Sequence, residues 1–482
     1  MTSHPQASSS ALASHGVGAG VLRAVGMLAL LAALATTVSC RGASPARTAS
    51  RSATTPTATA VPLKSEAEIR DLDIQYYEAR AARDPSGGSD LAHVAALELA
   101  RSRESGDPRD AIAAEVAARR SLHNRGERNA PARQVLAAAL LAQHRFAESL
   151  AITRSLRDDA PDSPSLQAAA GEIEMELGQY DSARASFRRV RVSPNDLSVV
   201  PRLSRWAEIE GDTAKARRLI RLALASAIRS PTLPREQVGW FWLRAGDIEL
   251  RAGRPLAADS AYRHGLALHP GDYRILSALA RSAAAQGRWR DAIERGETAI
   301  ATVLDPATLG TLSDAYAALG DTARSEEYAH ALEVAVTHQP GAYHRAWSLF
   351  LLDHDRRVAG VTRRIREELR TRRDVYGYDL LAWALHKQGH DTEAAGAARL
   401  ALREGTLDAL LFYHAGMIDA ALGDTAAARA HLTKALAINA YFQPFQPAVA
   451  RATLASLRVG GGLPASALAH AGAPPRLAER GR

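Results

Sequence analysis

Side chains able to carry acid–base, nucleophilic or metal chemistry are scattered through these 482 residues, and only one stretch concentrates them. Asp353-His354-Asp355 places a carboxylate, an imidazole and a second carboxylate in a row, the donor types of a metal centre or a general acid–base pair. Such chemistry needs the groups to converge on one point, whereas consecutive side chains on a short turn diverge, so the triplet is expected to be structural. Other signatures are missing from the sequence. No Gly-Lys dipeptide occurs, so there is no phosphate-cradling loop, and neither His-Glu-x-x-His nor Gly-x-Ser-x-Gly is present. Gly16-Val17-Gly18-Ala19-Gly20 has the glycines of a dinucleotide loop but follows no strand. A single cysteine rules out a thiolate zinc site and an internal disulfide framework. The expectation is a protein without catalytic residues, metal or cofactor.

That one cysteine, Cys40, sits where its position carries information. Arg23 precedes an apolar run from Ala24 to Val38, too short to span a bilayer comfortably, and small residues follow. A positive flank, an apolar stretch and a small-residue end make the layout of a secretory signal. Thr37-Val38-Ser39-Cys40 resembles a bacterial lipoprotein processing site, although Thr37 stands where Leu is usual. The resemblance implies a signal peptide over 1–39, lipidation of Cys40, and an exported protein held at a membrane of the cell envelope, on the periplasmic side of a two-membrane cell. Ordinary cleavage near Ala35, leaving a free thiol, is the alternative. Residues 40–64 are rich in Ser, Thr, Ala and Pro and read as a flexible tether. From 458 to 482 a Gly/Ala/Pro tail opening on Gly460-Gly461-Gly462 has nothing to pack and is expected to be disordered.

Net charge is +8, and almost all of the basic residues are Arg; Lys occurs only at 64, 215, 387 and 434. A GC-rich genome yields that bias without selection on function, and 52 acidic residues are interspersed, so nucleic acid is not the expected partner. The densest charge run, 363–373, keeps Ile365 and Leu369 on one helical face with Glu368 at i±4 from Arg364 and Arg372. It reads as a solvated outer face.

Between the ends the chain is periodic. Order starts at Ser65-Glu66-Ala67-Glu68, a capping box. Glycines separating two helical apolar patterns fall at Gly106, Gly178, Gly211, Gly253, Gly287, Gly320, Gly389 and Gly423. His144 and either His354 or Asp355 fill the two remaining slots of a period near 34. An alanine stands five residues after many of these hinges (Ala183, Ala216, Ala258, Ala292, Ala394, Ala428), with a larger residue four further on (Phe187, Ile220, Tyr262, Leu432). Pro270, Pro306 and Pro340 lie between units, and Gly-Asp-Thr recurs at 211, 320 and 423. Two extended helices meeting at small residues, with a glycine between them, explain the pattern. One interval is long, 42 residues before Gly253, and reads as a lengthened loop around Ser230-Pro231-Thr232-Leu233-Pro234.

This pattern resembles the tetratricopeptide repeat over roughly residues 90–440. The resemblance implies an all-α fold, an α-solenoid wound as a right-handed superhelix of about ten helix pairs, filling 65–457 with a closing helix at its C-terminal end. It also implies that the protein is a scaffold or adaptor binding a peptide or partner protein in the concave groove. Polyanion binding through distributed Arg is the alternative. The first-helix positions left free by packing are read as Arg274, Arg281, Asp314, Asp379, Trp383, His386, Lys387, Tyr413 and Met417. Trp383, His386 and Lys387, at i, i+3 and i+4, would suit a peptide carrying acidic residues; the competing expectation is that Trp383 packs against the neighbouring unit. If units touch only their neighbours, truncation should lower stability gradually.

Overall fold

The computed structural model describes residues 64–126, 129–338 and 345–458, and among them every regular element is an α-helix. In chain order these are α1 (Glu66–Arg83), α2 (Ser89–Ser105), α3 (Pro108–Arg125), α4 (Ala130–Ala142), α5 (Phe146–Asp159), α6 (Pro164–Glu176), α7 (Tyr180–Arg188) and α8 (Val200–Ile209). They continue with α9 (Thr213–Arg229), α10 (Arg235–Arg251), α11 (Pro255–Leu268), α12 (Tyr273–Ala285), α13 (Trp289–Ile300), α14 (Pro306–Ala318) and α15 (Thr322–His338). The last are α16 (Arg345–Asp353), α17 (Val358–Glu368), α18 (Val375–His386), α19 (Asp391–Ala401), α20 (Ala409–Ala421), α21 (Thr425–Ile438) and α22 (Gln446–Arg458). The signal, the tether, Cys40 and the C-terminal tail inferred from the sequence lie outside the described residues, apart from Lys64 of the tether and Arg458 of the tail. No described helix is long and apolar enough to cross a membrane.

Local chemistry sets the helix ends. Ser65 and Glu68 form the expected reciprocal capping box at α1. Asp107, Asp272, Asp305, Asp374 and Asp408 each accept a backbone N–H at the first turn of the following helix. Pro306 occupies the first turn of α14, where a missing N–H costs nothing. All ten hinge positions read from the period adopt left-handed φ, from 55° at Asp355 to 83° at Gly320. This conformation penalises a Cβ and explains why eight of the ten are glycine. Asp355, not His354, fills the skipped slot. The 42-residue interval is less a long loop than two long helices: α9 and α10 each have 17 residues, with 230–234 between them.

Packing follows the small–large rule. Ala183, Ala216, Ala258, Ala292, Ala394 and Ala428 are completely buried, and Phe187, Ile220, Tyr262 and Leu432 fill the space beside them. A partner feature accompanies it on the first helix, seven residues before the hinge. A Cβ at Gly246 would overlap the Tyr262 ring, and one at Gly416 would meet Leu432. First helices also pack side by side along the array, as α2 does with α4, α12 with α14, and α18 with α20.

The units do not touch only their neighbours. The array coils tightly enough for hinges of its first turn to meet inter-unit loops 189–225 residues later. Arg373 N donates to Leu177 O (3.0 Å), Val375 N to the Tyr180 hydroxyl (2.8 Å), Thr406 Oγ1 to Ile209 O (2.7 Å) and Asn439 Nδ2 to Leu250 O (2.9 Å). Arg184 pairs with Glu404 (3.1 Å) and Arg372 with Glu176 (3.3 Å). At Gly178 a Cβ would overlap the Arg373 carbonyl, and at Gly211 that of Gly405, whereas Gly389 and Gly423 have nothing within 4 Å. Glycine at the first two is therefore required twice, by φ and by the approach of the next turn. The expectation of gradual loss on truncation is revised accordingly, because removing second-turn units also strips contacts from the first.

Candidate functional site

The stripe expected from the sequence does not form one open surface. Trp383, Tyr413 and Met417 are completely buried, so they belong to the core and not to a groove wall. Trp383 Nε1 donates to Asp353 (2.8 Å) and its ring stacks on His414 at 4.3 Å. Lys387 pairs with Asp355 (2.7 Å) and lies over Trp383, and His386 Nδ1 bonds Asp391 (2.6 Å). Asp379 is buried between His414 (2.7 Å) and Arg345 (3.0 Å). Asp314 bonds His354 (2.8 Å), and Arg274 is held by Asp272 and Glu236, both at 2.6 Å. Only Arg281 among the nine is exposed, 3.8 Å from Asp247.

Trp383 is enclosed by α16, α18 and α20, and the C-terminal helix closes over Met417. α22 packs on α20 and α21, where Thr453 contacts Met417, and reaches past them to the end of α16, where Gln446 donates to Asp353 (2.9 Å). Beside it, Phe445 stacks on Trp289 of α13. Ala450, Val449, Leu454 and Leu457 join the same apolar cluster as Leu349, Trp383 and Met417. The triplet Asp353-His354-Asp355 is divided among separate partners, as diverging side chains require: Trp383 and Gln446, Asp314, and Lys387 respectively. Burial pushes the Asp353 carboxyl up to about 6, with His414 and the Trp383 N–H opposing the shift.

Open inner surface lies instead in the first half of the array. Six residues before successive hinges stand Ala138, Glu172, Arg205, Asp247, Arg281 and Asp314, then Leu349, Trp383 and Met417. The inner stripe thus runs small, then alternately acidic and basic, then apolar where it is covered. This register was present in the sequence but hidden by mixing several faces of each first helix. Glu172 and Arg205, at the start of the charged section, line a cavity of about 410 Å³ bounded also by Arg202, Glu208, Trp240, Arg244 and Arg251, and closed by Tyr376 from the next turn. Through Glu172, Ser198 and Arg202 it joins a groove of about 330 Å³ where small and apolar residues, among them Ala137, Ala138, Leu141, Leu166 and Ala169, alternate with polar ones such as Gln134, Ser149 and Thr153. Through Glu208, Arg251 and Tyr376 it joins a space of about 270 Å³ between the two turns, lined also by Thr213, Thr406, Leu407 and Asp408.

Each arginine of the cavity has a carboxylate. Arg202 pairs with Glu172 (2.7 Å), Arg205 with Glu172 and Glu176, Arg244 with Glu208 (2.9 Å) and Asp247 (3.0 Å), and Arg251 with Glu208 (2.5 Å). Burial works to raise the Glu172 carboxyl, but Arg202 and Arg205 hold it below the ordinary range, so the lattice stays charged at neutral pH. Burial and then Asp408 push the Tyr376 phenol up to about 12, which keeps it a neutral donor. Among the described residues no group of three or more His, Cys, Asp or Glu is placed to hold a metal ion. The surface can offer paired charges, an aromatic edge at Trp240 and a small-residue trough.

By period, hinge geometry and side-by-side stacking of helix pairs, the protein is a tetratricopeptide-type α-solenoid. No family model matches the sequence, and no curated protein matches it. Among solved structures it is similar to PilW, a widely conserved type IV pilus biogenesis factor, at 19% identity over 44% of this chain and 96% of that one, with a TM-score of 0.37. It is also similar to a tetratricopeptide repeat protein from Parabacteroides merdae (17% identity, 54% and 98% covered, TM-score 0.32). Human IFIT1, solved as a dimer with PPP-AAAA, is a further match (14%, 77% and 94%, TM-score 0.41).

Proposed function

We propose that this protein is a non-catalytic scaffold or adaptor of the bacterial cell envelope, tethered through a lipid on Cys40, that holds a polypeptide segment of a partner on the inner face of α4–α10. The observation that carries the reading is the continuous trough from Ala138 and Leu166 to Arg205 and Arg244. Small apolar walls accept side chains of an extended segment, and the alternating Arg–carboxylate lattice supplies donors and acceptors in both senses along it. Because every cavity arginine is already neutralised, the lattice offers little surplus charge to a polyanion, which supports protein over nucleic acid as partner. Moving the site from the C-terminal units follows from the burial of Trp383, Tyr413 and Met417.

The test is recovery of membrane-associated companions with the full-length protein carrying Trp240→Ala with Arg244→Ala, against Arg363→Ala with Arg364→Ala on the exposed outer face. Loss of companions from the first variant alone, with helicity intact, is the expected result. Loss from the outer-face variant alone would place binding on the charge run. Equal recovery from both would remove the trough from the function.

A further inference from the structure

The two turns of the coil meet along a seam unlike any interface within a helix pair. Helix pairs are joined by completely buried alanines and by Phe187, Ile220, Tyr262 and Leu432. Across the seam the ties are mostly polar and involve backbone: Arg373 to Leu177, Val375 to Tyr180, Arg403 to Gly178 O (3.3 Å), Thr406 to Ile209 and Asn439 to Leu250. Apolar contact there comes mainly from Val375 beside Tyr180 and from Phe445 on Trp289. An intramolecular hydrogen bond nets little stability, because water replaces it when it breaks. Its ion pairs are partly buried, 15–31% exposed, so their attraction is largely offset by the cost of desolvating both charges.

Geometry makes this seam separable. The coil brings the turns together by adding a small rotation at each of several stacked pairs. Slight rotations spread over those pairs therefore part the turns without breaking one neighbour interface. Regions with few apolar contacts are where sub-global opening occurs. Behind this seam lies the inter-turn space, with Thr213 and Arg251 from the first turn facing Thr406 and Asp408 from the second.

We propose that the two turns form a clasp, which opens along the seam as a unit and so admits the partner's chain to the inter-turn space. The admission step rests on the polypeptide-binding reading above; the opening does not. Opening exposes the Thr406 side chain, only 2% exposed when closed, while the core between adjacent units remains shut, as at Ser282, completely buried and bonded to Asp259 of α11.

The experiment uses the full chain with Cys40→Ala as background, carrying either Thr406→Cys or Ser282→Cys, and follows alkylation by N-ethylmaleimide without denaturant. The cysteine at 406 should react roughly a hundredfold faster than that at 282, since sub-global openings cost well below the free energy of unfolding. A polyethylene-glycol-linked maleimide, with the girth of an unfolded chain, should keep that advantage. Hydrogen exchange in the unaltered protein gives an independent reading. The Arg373 and Val375 amides, which donate across the seam, should exchange before the amide of completely buried Ala280 in α12. Equal alkylation at both cysteines, or seam amides as slow as that of Ala280, would show that the turns part only on unfolding and end the proposal. Fast reaction with the small maleimide alone would overturn admission of a chain. None of these outcomes depends on whether the trough binds a partner.

Discussion

Replacing Gly178 by alanine separates the two demands that the coil makes on a hinge glycine. Gly178 and Gly389 occupy equivalent hinges at nearly equal φ, 72° and 76°, so the left-handed penalty, about 1–2 kcal/mol per residue, is common to both substitutions. Loss of unfolded-state freedom offsets roughly 0.4–1 kcal/mol of it in each case. Only at Gly178 does the new Cβ overlap the carbonyl of Arg373. Relief requires that loop to back away, which strains Arg373 N to Leu177 O, Val375 N to Tyr180 and Arg403 to Gly178 O. Three such bonds at about 1 kcal/mol each set the excess at about 2–3 kcal/mol over the Gly389→Ala control. Urea denaturation followed by far-ultraviolet circular dichroism measures the difference, and small-angle scattering should show Gly178→Ala more extended at zero urea. Gly423→Ala, at φ 79° with no neighbour, should match Gly389→Ala. If Gly178→Ala and Gly389→Ala destabilise equally and scatter alike, the closed coil is wrong.

Three further outcomes are expected. Asp353, with a folded-state value near 6 and an unfolded value of about 3.9, favours the fold below about pH 4 and loses that contribution as pH rises through 6, a change on the order of 2–3 kcal/mol. Asp353→Asn should flatten this part of the stability–pH profile and gain relative to wild type at pH above about 7, whereas an equal loss at low and neutral pH would mean that the charge is needed. Trp383→Ala should cost about 3–5 kcal/mol in thermal or urea melts, as expected for a completely buried ring, while Arg281→Ala should cost little. Cys40→Ala should abolish palmitate labelling and release the protein from the membrane fraction; a variant that stays membrane-bound, alongside a wild type that takes up no lipid, would favour an uncleaved anchor.

What could be read from the sequence follows from the range of the interactions involved. A hinge needs left-handed φ within one residue, and a helix pair needs Ala258 opposite its partner helix with Tyr262 one turn on. These are short-range requirements, and they recur near every 34 residues. Capping by Ser65 and the buried face of the charge run at Ile365 were legible for the same reason. Whether an inner-stripe residue meets water or protein depends on the pitch of the coil, a sum of small rotations over several units that no local window contains. Trp383 and Arg205 stand at the same distance before their hinges, yet α22 and the apolar cluster cover one while the other borders a cavity. The approach of residues near 373 and 405 to the hinges at 178 and 211 left one trace in the sequence, a glycine at both, which φ alone had already explained.

The most direct test of the account is site-specific photocrosslinking in cells. A benzophenone side chain is placed at Ala138, Leu166 or Ala169 in the trough, and at exposed Arg363. The account predicts discrete protease-sensitive adducts from the trough positions and none from 363. Adducts from 363 alone, or trough adducts that resist protease and yield to nuclease, would contradict it.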